Sequence, residues 1–182
     1  MTATATSTTN WTIDQAHSLV EFSAKHMMFT TVKGRFTGFS GTITEHASDQ
    51  SLSSVNVTID TTSVTTGDAK RDGHLRSPDF LNVEQYPQAT FISKRVEALG
   101  GDRYRVVGDL TLMGVTREIV LDAELQGQAV NPRGKTVAGV SATTAIKRAD
   151  FGLNWNVALE AGGVLVSDQV KFALEIQAVK QD

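Results

Sequence analysis

The chain has 182 residues, 40% apolar and 20% charged, with a formal net charge of -3. That balance suits one domain with a real core and argues against a disordered chain. Acids and bases are interspersed rather than blocked, so no footprint for nucleic acid is visible. The absence of cysteine excludes disulfide staples, thiolate nucleophiles, iron-sulfur clusters and thiolate zinc sites together.

Residues 1–10 are rich in Thr, Ala and Ser and read as a flexible lead-in. They carry neither a basic region nor an apolar run, so a cytoplasmic location is expected, periplasmic only if the precursor was longer. No apolar stretch is long enough to span a bilayer. From there the chain alternates with the two-residue period of a strand that has one wet and one buried face. Val20, Phe22 and Ala24 lead, followed by Val32, Gly34 and Phe36. The phase then slips to Phe39, Gly41 and Ile43, which predicts a bulge or bend at Gly38.

Val55, Val57 and Ile59 resume the alternation. After a polar interval it returns in Leu110 and Leu112, in Ile119 to Leu125, and in Val170 to Ile176. Less regular strands are expected near Ala89 to Val96, Tyr104 to Val107 and Val137 to Ile146. The total is about eight, the number that closes a small barrel with room for one ligand. Short Gly-, Asn- and Asp-containing turns between the runs imply antiparallel pairing. The fold class expected is therefore all-β, an eight-stranded antiparallel barrel over 11–180. The exception is the polar segment 68–86, where Asp68 is a plausible cap for a short helix and Pro78 suits the start of a second helical turn.

Chemistry-bearing motifs are sparse. His17, His26, His46 and His74 lack the close spacing of zinc ligands, and no metal site is expected. No Gly-x-Ser-x-Gly elbow, phosphate loop or dinucleotide fingerprint occurs, so no cofactor or catalytic residue is assigned. Asp150-Phe151-Gly152 matches a kinase tripeptide without any of its companion motifs. The segment Lys70 to Phe80 supports two readings. One is a lid held to the barrel rim by Arg and Asp pairs, with Leu75, Phe80 and Leu81 packed inward. The other makes Arg71, His74 or Arg76 a polar anchor for a ligand head. The same pair of readings applies to Arg148 and Asp150, and His17 and His26 complete the candidate anchors.

Several stretches in order resemble the YceI family. They are Trp11-Thr12-Ile13-Asp14 with Ala16-His17-Ser18, Val20 to His26, Val32 to Phe36 with Phe39 and Gly41, Arg71 to Leu81 with Tyr86-Pro87, Gly108 to Leu112 with Gly114-Val115-Thr116, and Ile146 to Arg148 with Asp150-Phe151-Gly152. The resemblance implies an elongated lipocalin-like barrel with a helical excursion. It also implies a polyisoprenoid or other long-chain lipid held inside, and often a dimer. Many such proteins are exported to the periplasm, whereas the start of this chain points to an intracellular carrier or sequestering role.

The inward face mixes bulky side chains with Gly34, Gly41, Ala24, Ala123 and Ala142, which predicts space left over for a ligand. The lining is expected from Val20, Phe22, Phe36, Phe39, Ile43, Val57, Phe91, Leu110, Leu112, Leu121, Trp155 and Phe172, with Trp155 alternatively marking the mouth or a dimer surface. The function expected is binding of a long-chain apolar lipid (polyisoprenoid, isoprenoid quinone or fatty-acid derivative) by a non-enzymatic carrier or store. An enzyme acting on such a lipid would need at least two of the histidines or Arg-Asp groups to converge at the tunnel. A stress-related interaction protein using the barrel as scaffold would need a large apolar patch outside it.

Overall fold

A computed structural model describes residues 7–182. Residues 1–6 of the expected flexible lead-in lie outside the described residues, but Thr8 to Asn10 belong to a strand, a correction to that expectation. Eleven strand segments form one antiparallel sheet: β1 (Thr8–Ile13), β2 (Leu19–His26), β3 (Thr30–Phe36), β4 (Phe39–His46), β5 (Ser54–Asp60), β6 (Val64–Thr65), β7 (Gln88–Gly100), β8 (Arg103–Leu112), β9 (Val115–Val130), β10 (Thr136–Lys147) and β11 (Gln169–Lys180). One α-helix, α1 (Ala69–Arg76), stands between β6 and β7.

The first six segments are three strands, each broken once. The breaks between β1 and β2, β3 and β4, and β5 and β6 sit beside one another. The Gln15 side chain donates to the Thr37 carbonyl at 2.7 Å, and Gly38 N–H donates to Ser63 Oγ at 2.9 Å. The predicted phase slip at Gly38 is one of these breaks. With them joined, eight strands run up and down in sequence order, and β1 pairs with β11 (Trp11 opposite Lys180, Ile13 opposite Ala178) to close the barrel. Short 3-10 turns fill two of the breaks, and in each an aspartate accepts the N–H two residues on: Asp14 from Ala16, Asp60 from Thr62. That is the local side-chain bond for which aspartate is favoured at helix starts.

Asp68 caps α1 as expected, accepting from Arg71 N–H. The second helical turn expected from Pro78 does not form. The chain runs 77–86 as linked turns through Asn82, which holds φ at 47°, because Leu81 and Val83 N–H groups bond back to Leu75 and Arg76 carbonyls. Nor is the segment held by Arg and Asp pairs. Arg76 Nε and Nη2 donate to the Thr62 and Val64 carbonyls at 3.0 and 2.8 Å, and Arg71 Nε to Thr66 Oγ1 at 2.7 Å. Buried Asp72 accepts from the N–H and hydroxyl of Thr66 at 2.7 and 2.6 Å. A guanidinium in range of bare strand-end carbonyls satisfies groups that nothing else reaches.

The core is continuous along the barrel. One cluster centres on Phe91, Leu110 and Phe151, a second on Val20, Phe36 and Val64, and partly buried Phe172 and Val57 touch both. A third, smaller cluster of Trp11, Ala138 and Ala178 seals the end where β10 begins. There Trp11 is 5% exposed and its indole N–H donates to Glu45 at 3.0 Å.

Candidate functional site

Inside the barrel lies a cavity in which the centre of a water-sized sphere can occupy about 250 Å3. One water needs roughly 10–15 Å3 by that measure, so the space is that of a larger molecule. Its wall draws on every long strand and on the cap, and every lining residue except Thr144 and Arg148 has an aliphatic or aromatic side chain.

Eleven of the twelve positions expected inside are in this wall; the exception is Trp155. Its ring sits above the cap, edge-on to His74 at 4.6 Å between centroids and 5.3 Å from Phe80. The chain leaves strand geometry after Lys147, so alternation no longer says which way Trp155 points.

The source of the space also differs from the expectation. Gly34 and Gly41 do not leave room, because a Cβ on Gly34 would stand 2.4 Å from Phe22 Cζ and one on Gly41 2.7 Å from Ile13 Cδ1. The larger neighbour already lies over each glycine, a known way for aromatics to cover glycine in sheets. The alanines do open the wall: Ala24, Ala123 and Ala142 all line the cavity.

Arg148 is the one charged side chain in the wall and is 5% exposed. Its Nε donates to the Ser167 carbonyl (2.9 Å), Nη1 to those of Leu153 (2.9 Å) and Trp155 (3.1 Å), and Nη2 to that of Val166 (3.4 Å). It thereby ties both arms of the irregular segment 153–168 to the end of β10. Burial pushes its pKa down, and the negative charge of Asp168 offsets part of that. The expected pairing of Arg148 with charges on the lid is absent, as its acceptors are main-chain carbonyls. Exposed Asp150 has no ion pair among the described residues.

The other candidate anchors do not meet. His17 is exposed and bonded to Asp14 at 2.8 Å, an interaction that lowers the Asp14 pKa. His26 ends β2 and bridges to Val166 through the main chain. Arg71 and Arg76 are spent on strand ends, as described above. His74 bonds Asp79 at 2.8 Å and stacks against Phe80 and Trp155, so it belongs to the outside of the cap. None of the four histidines is in the cavity wall. Sequence reading missed Leu153 and Val166, which line the cavity from a segment with no period, and Val64, which lies in a two-residue strand.

Cavity, closure and cap together match a known family. A model of the YceI-like domain covers residues 11–178. The chain belongs to the YceI family. Its relatives include UPF0312 proteins of Staphylococcus aureus strains, 41% identical over 165 residues that cover 90% of this chain and 94% of theirs. Among solved structures, the YCEI protein of Campylobacter jejuni superposes with a TM-score of 0.75 at 33% identity, covering 87% of this chain and 90% of that one. BcnA of Burkholderia cenocepacia (0.78, 24%, covering 91% and 98%) and a polyisoprenoid binding domain of Saccharophagus degradans (0.71, 21%, covering 94% and 98%) share the fold. Among the described residues of this YceI-family chain, no helix is long and apolar enough to cross a membrane.

Proposed function

We propose that the protein binds a long-chain apolar lipid, of the polyisoprenoid, isoprenoid quinone or fatty-acyl kind, along the barrel interior, and carries or stores it without transforming it. The observation that carries this reading is the wall itself, apolar along its length apart from one hydroxyl and one guanidinium. A hydrocarbon tail needs no more. Each buried CH2 contributes about 0.8 kcal/mol, so ten methylenes gain roughly 8 kcal/mol before ordering costs. The Saccharophagus degradans neighbour, described as polyisoprenoid binding, supports the class of ligand. Binding without catalysis is favoured because the histidines and the Arg and Asp groups reach the cavity at Arg148 alone. Homodimer formation, implied by the family resemblance, is part of the same reading and is checked by sedimentation equilibrium.

The test is organic extraction of the purified protein followed by mass spectrometry. The result expected is a long-chain lipid at a substantial fraction of one per chain. Extracts without lipid, combined with no uptake of added long-chain lipids after delipidation, would sink the proposal.

A further inference from the structure

The cavity is not uniform along its length. Its inward row on β10 reads Val140, Ala142, Thr144, Ile146 and then Arg148, so the wall is aliphatic toward the Trp11 end and meets a guanidinium at the cap. Thr144 stands four residues before Arg148, roughly 13 Å along the strand. Its hydroxyl is already committed, donating to the Val120 carbonyl at 2.8 Å. Of the two polar side chains in the wall, only Arg148 has a donor left.

That capacity can be counted. A guanidinium has five N–H donors. Four bonds to carbonyls take Nε, both hydrogens of Nη1 and one of Nη2, the last at a long 3.4 Å. One Nη2 hydrogen has no acceptor. All four acceptors are neutral, and no acidic side chain among the described residues lies within ion-pair distance of the group. The negative charge of Asp168, whose Oδ1 accepts from the Ala149 N–H at 3.0 Å, offsets only part of the cost of burial. Carbonyls solvate a buried cation without neutralising it, and a buried charge lacking a counter-charge is costly. An anionic oxygen arriving through the cavity would supply both the missing acceptor and the missing charge.

We infer that the ligand is an amphiphile with an anionic oxygen at one end, carboxylate or phosphate, seated against Arg148 under the cap, with its tail running toward Trp11. This rests on the lipid-binding reading above and adds the chemistry and direction of the head. The Phe80 ring, 6.0 Å from the guanidinium carbon, and the side chains of Leu75, Leu153 and Val166 shield the site from water, where such a pair is stronger than in solvent.

The experiment compares four probes of one chain length on the delipidated full chain: hexadecane, hexadecanol, hexadecanoate and hexadecyl phosphate. Both anions are expected to bind at least tenfold more tightly than hexadecanol, and their ratio to each other separates carboxylate from phosphate. Equal affinity for alcohol and anions overturns the head-group inference and leaves the lipid reading standing, whereas binding of none of the four overturns both. Arg148→Met, with its fold checked by near-ultraviolet circular dichroism, should reduce the ratio of anion to hexadecanol affinity below threefold, whatever it does to the affinity for hexadecanol itself. A second measurement, independent of the variant's folding, uses the wild-type chain. The 13C resonance of bound carboxyl-labelled hexadecanoate should report an ionised group down to pH 5. An apolar cavity alone would raise its pKa, so a carboxyl found protonated at pH 6 also overturns the inference.

Discussion

The two ends of the barrel are built on different principles. Around Trp11, Ala138 and Ala178 ladder hydrogen bonds fix the wall: β1 pairs with both β11 and β4, β10 with both β9 and β11, and β7 and β9 run on to their hairpins paired with β8 and β10. At the cap the ladders stop. The β9–β10 pairing ends at Asp122 opposite Thr143, leaving Val115 to Leu121 paired with β8 alone, and the β5–β7 pairing ends at Asp60 opposite Gln88. The openings are filled by Phe151 on one side and by α1 with the 77–86 turns on the other. What holds this end is side chain to main chain: Arg148, Arg76, Asp72 and the hydroxyl of Thr144 each reach backbone groups. Exposed apolar residues occur at both ends, Leu52, Leu99 and Val130 at the hairpins of the Trp11 end and, at the cap, Phe29, 80% exposed at the tip of the β2–β3 hairpin, and Met28 against Gly163. Strand ladders open cooperatively, whereas a cap held by a few side chains can open alone. The cap is therefore the end expected to open first.

The largest expected effects set these ends against each other. Trp11→Ala removes the plug of the sealed end and should cost about 3–5 kcal/mol. That is a fall in Tm on the order of 10 °C, in one cooperative transition. Arg148→Ala strands four carbonyls and should cost a similar amount, about 3–5 kcal/mol. Its loss should appear first as faster amide exchange and proteolysis within 153–168, while β1, β10 and β11 remain protected. Equal deprotection throughout the barrel in both variants would erase the distinction between the ends.

Alternation was readable in the sequence wherever the chain lies in a strand, because a side chain facing the core must face it again two residues later. Val20, Phe22, Leu110, Leu112 and Phe172 were legible for that reason. The cap was not. Leu153, Val166 and Trp155 take their directions from Arg148, which gathers carbonyls 5 to 19 residues away in sequence, and no local period encodes such a knot. The glycines misled in a different way. Sequence shows that Gly34 lacks a side chain but not that Phe22, its cross-strand partner, lies over it.

That overlap yields the next prediction. Gly34→Ala places a methyl group 2.4 Å from Phe22 Cζ, so the ring must move toward the cavity it lines. Overpacking of this kind costs about 1–3 kcal/mol, and lipid capacity should fall with it. Unchanged binding stoichiometry would mean that Phe22 can swing aside without narrowing the channel.

Trp155→Ala acts on the latch between helix and cap loop. Removing its contacts with His74 and Phe80 forfeits about 1–1.5 kcal/mol, which corresponds to roughly tenfold faster release of a bound fluorescent fatty acid. Global stability should fall as well, since the half-buried ring packs against the main core cluster. A release rate unaltered by this change would place the exit elsewhere, for example along the unpaired edges of β9 and β10.

The smallest effect expected is acid sensitivity of the cap through Asp72. Burial raises the pKa of this carboxyl, but hydrogen bonds from the Thr66 hydroxyl and N–H and the Thr65 hydroxyl outweigh it, and the folded-state pKa lies below the ordinary aspartate value. A depressed folded pKa stabilises the folded state above the unfolded pKa, about 3.9, and that contribution is lost as pH falls through the folded pKa. Asp72→Asn keeps the shape but removes the charge, which should cost about 1–2 kcal/mol at pH 7. The variant and the wild type should converge in stability as pH drops below about 4. Because Asp72 holds the start of the cap through Thr66 and nothing at the Trp11 end, the same titration followed by amide exchange should loosen 65–76 before β1 or β11. Simultaneous loosening of both ends would show that the cap and the sealed end unfold as one unit.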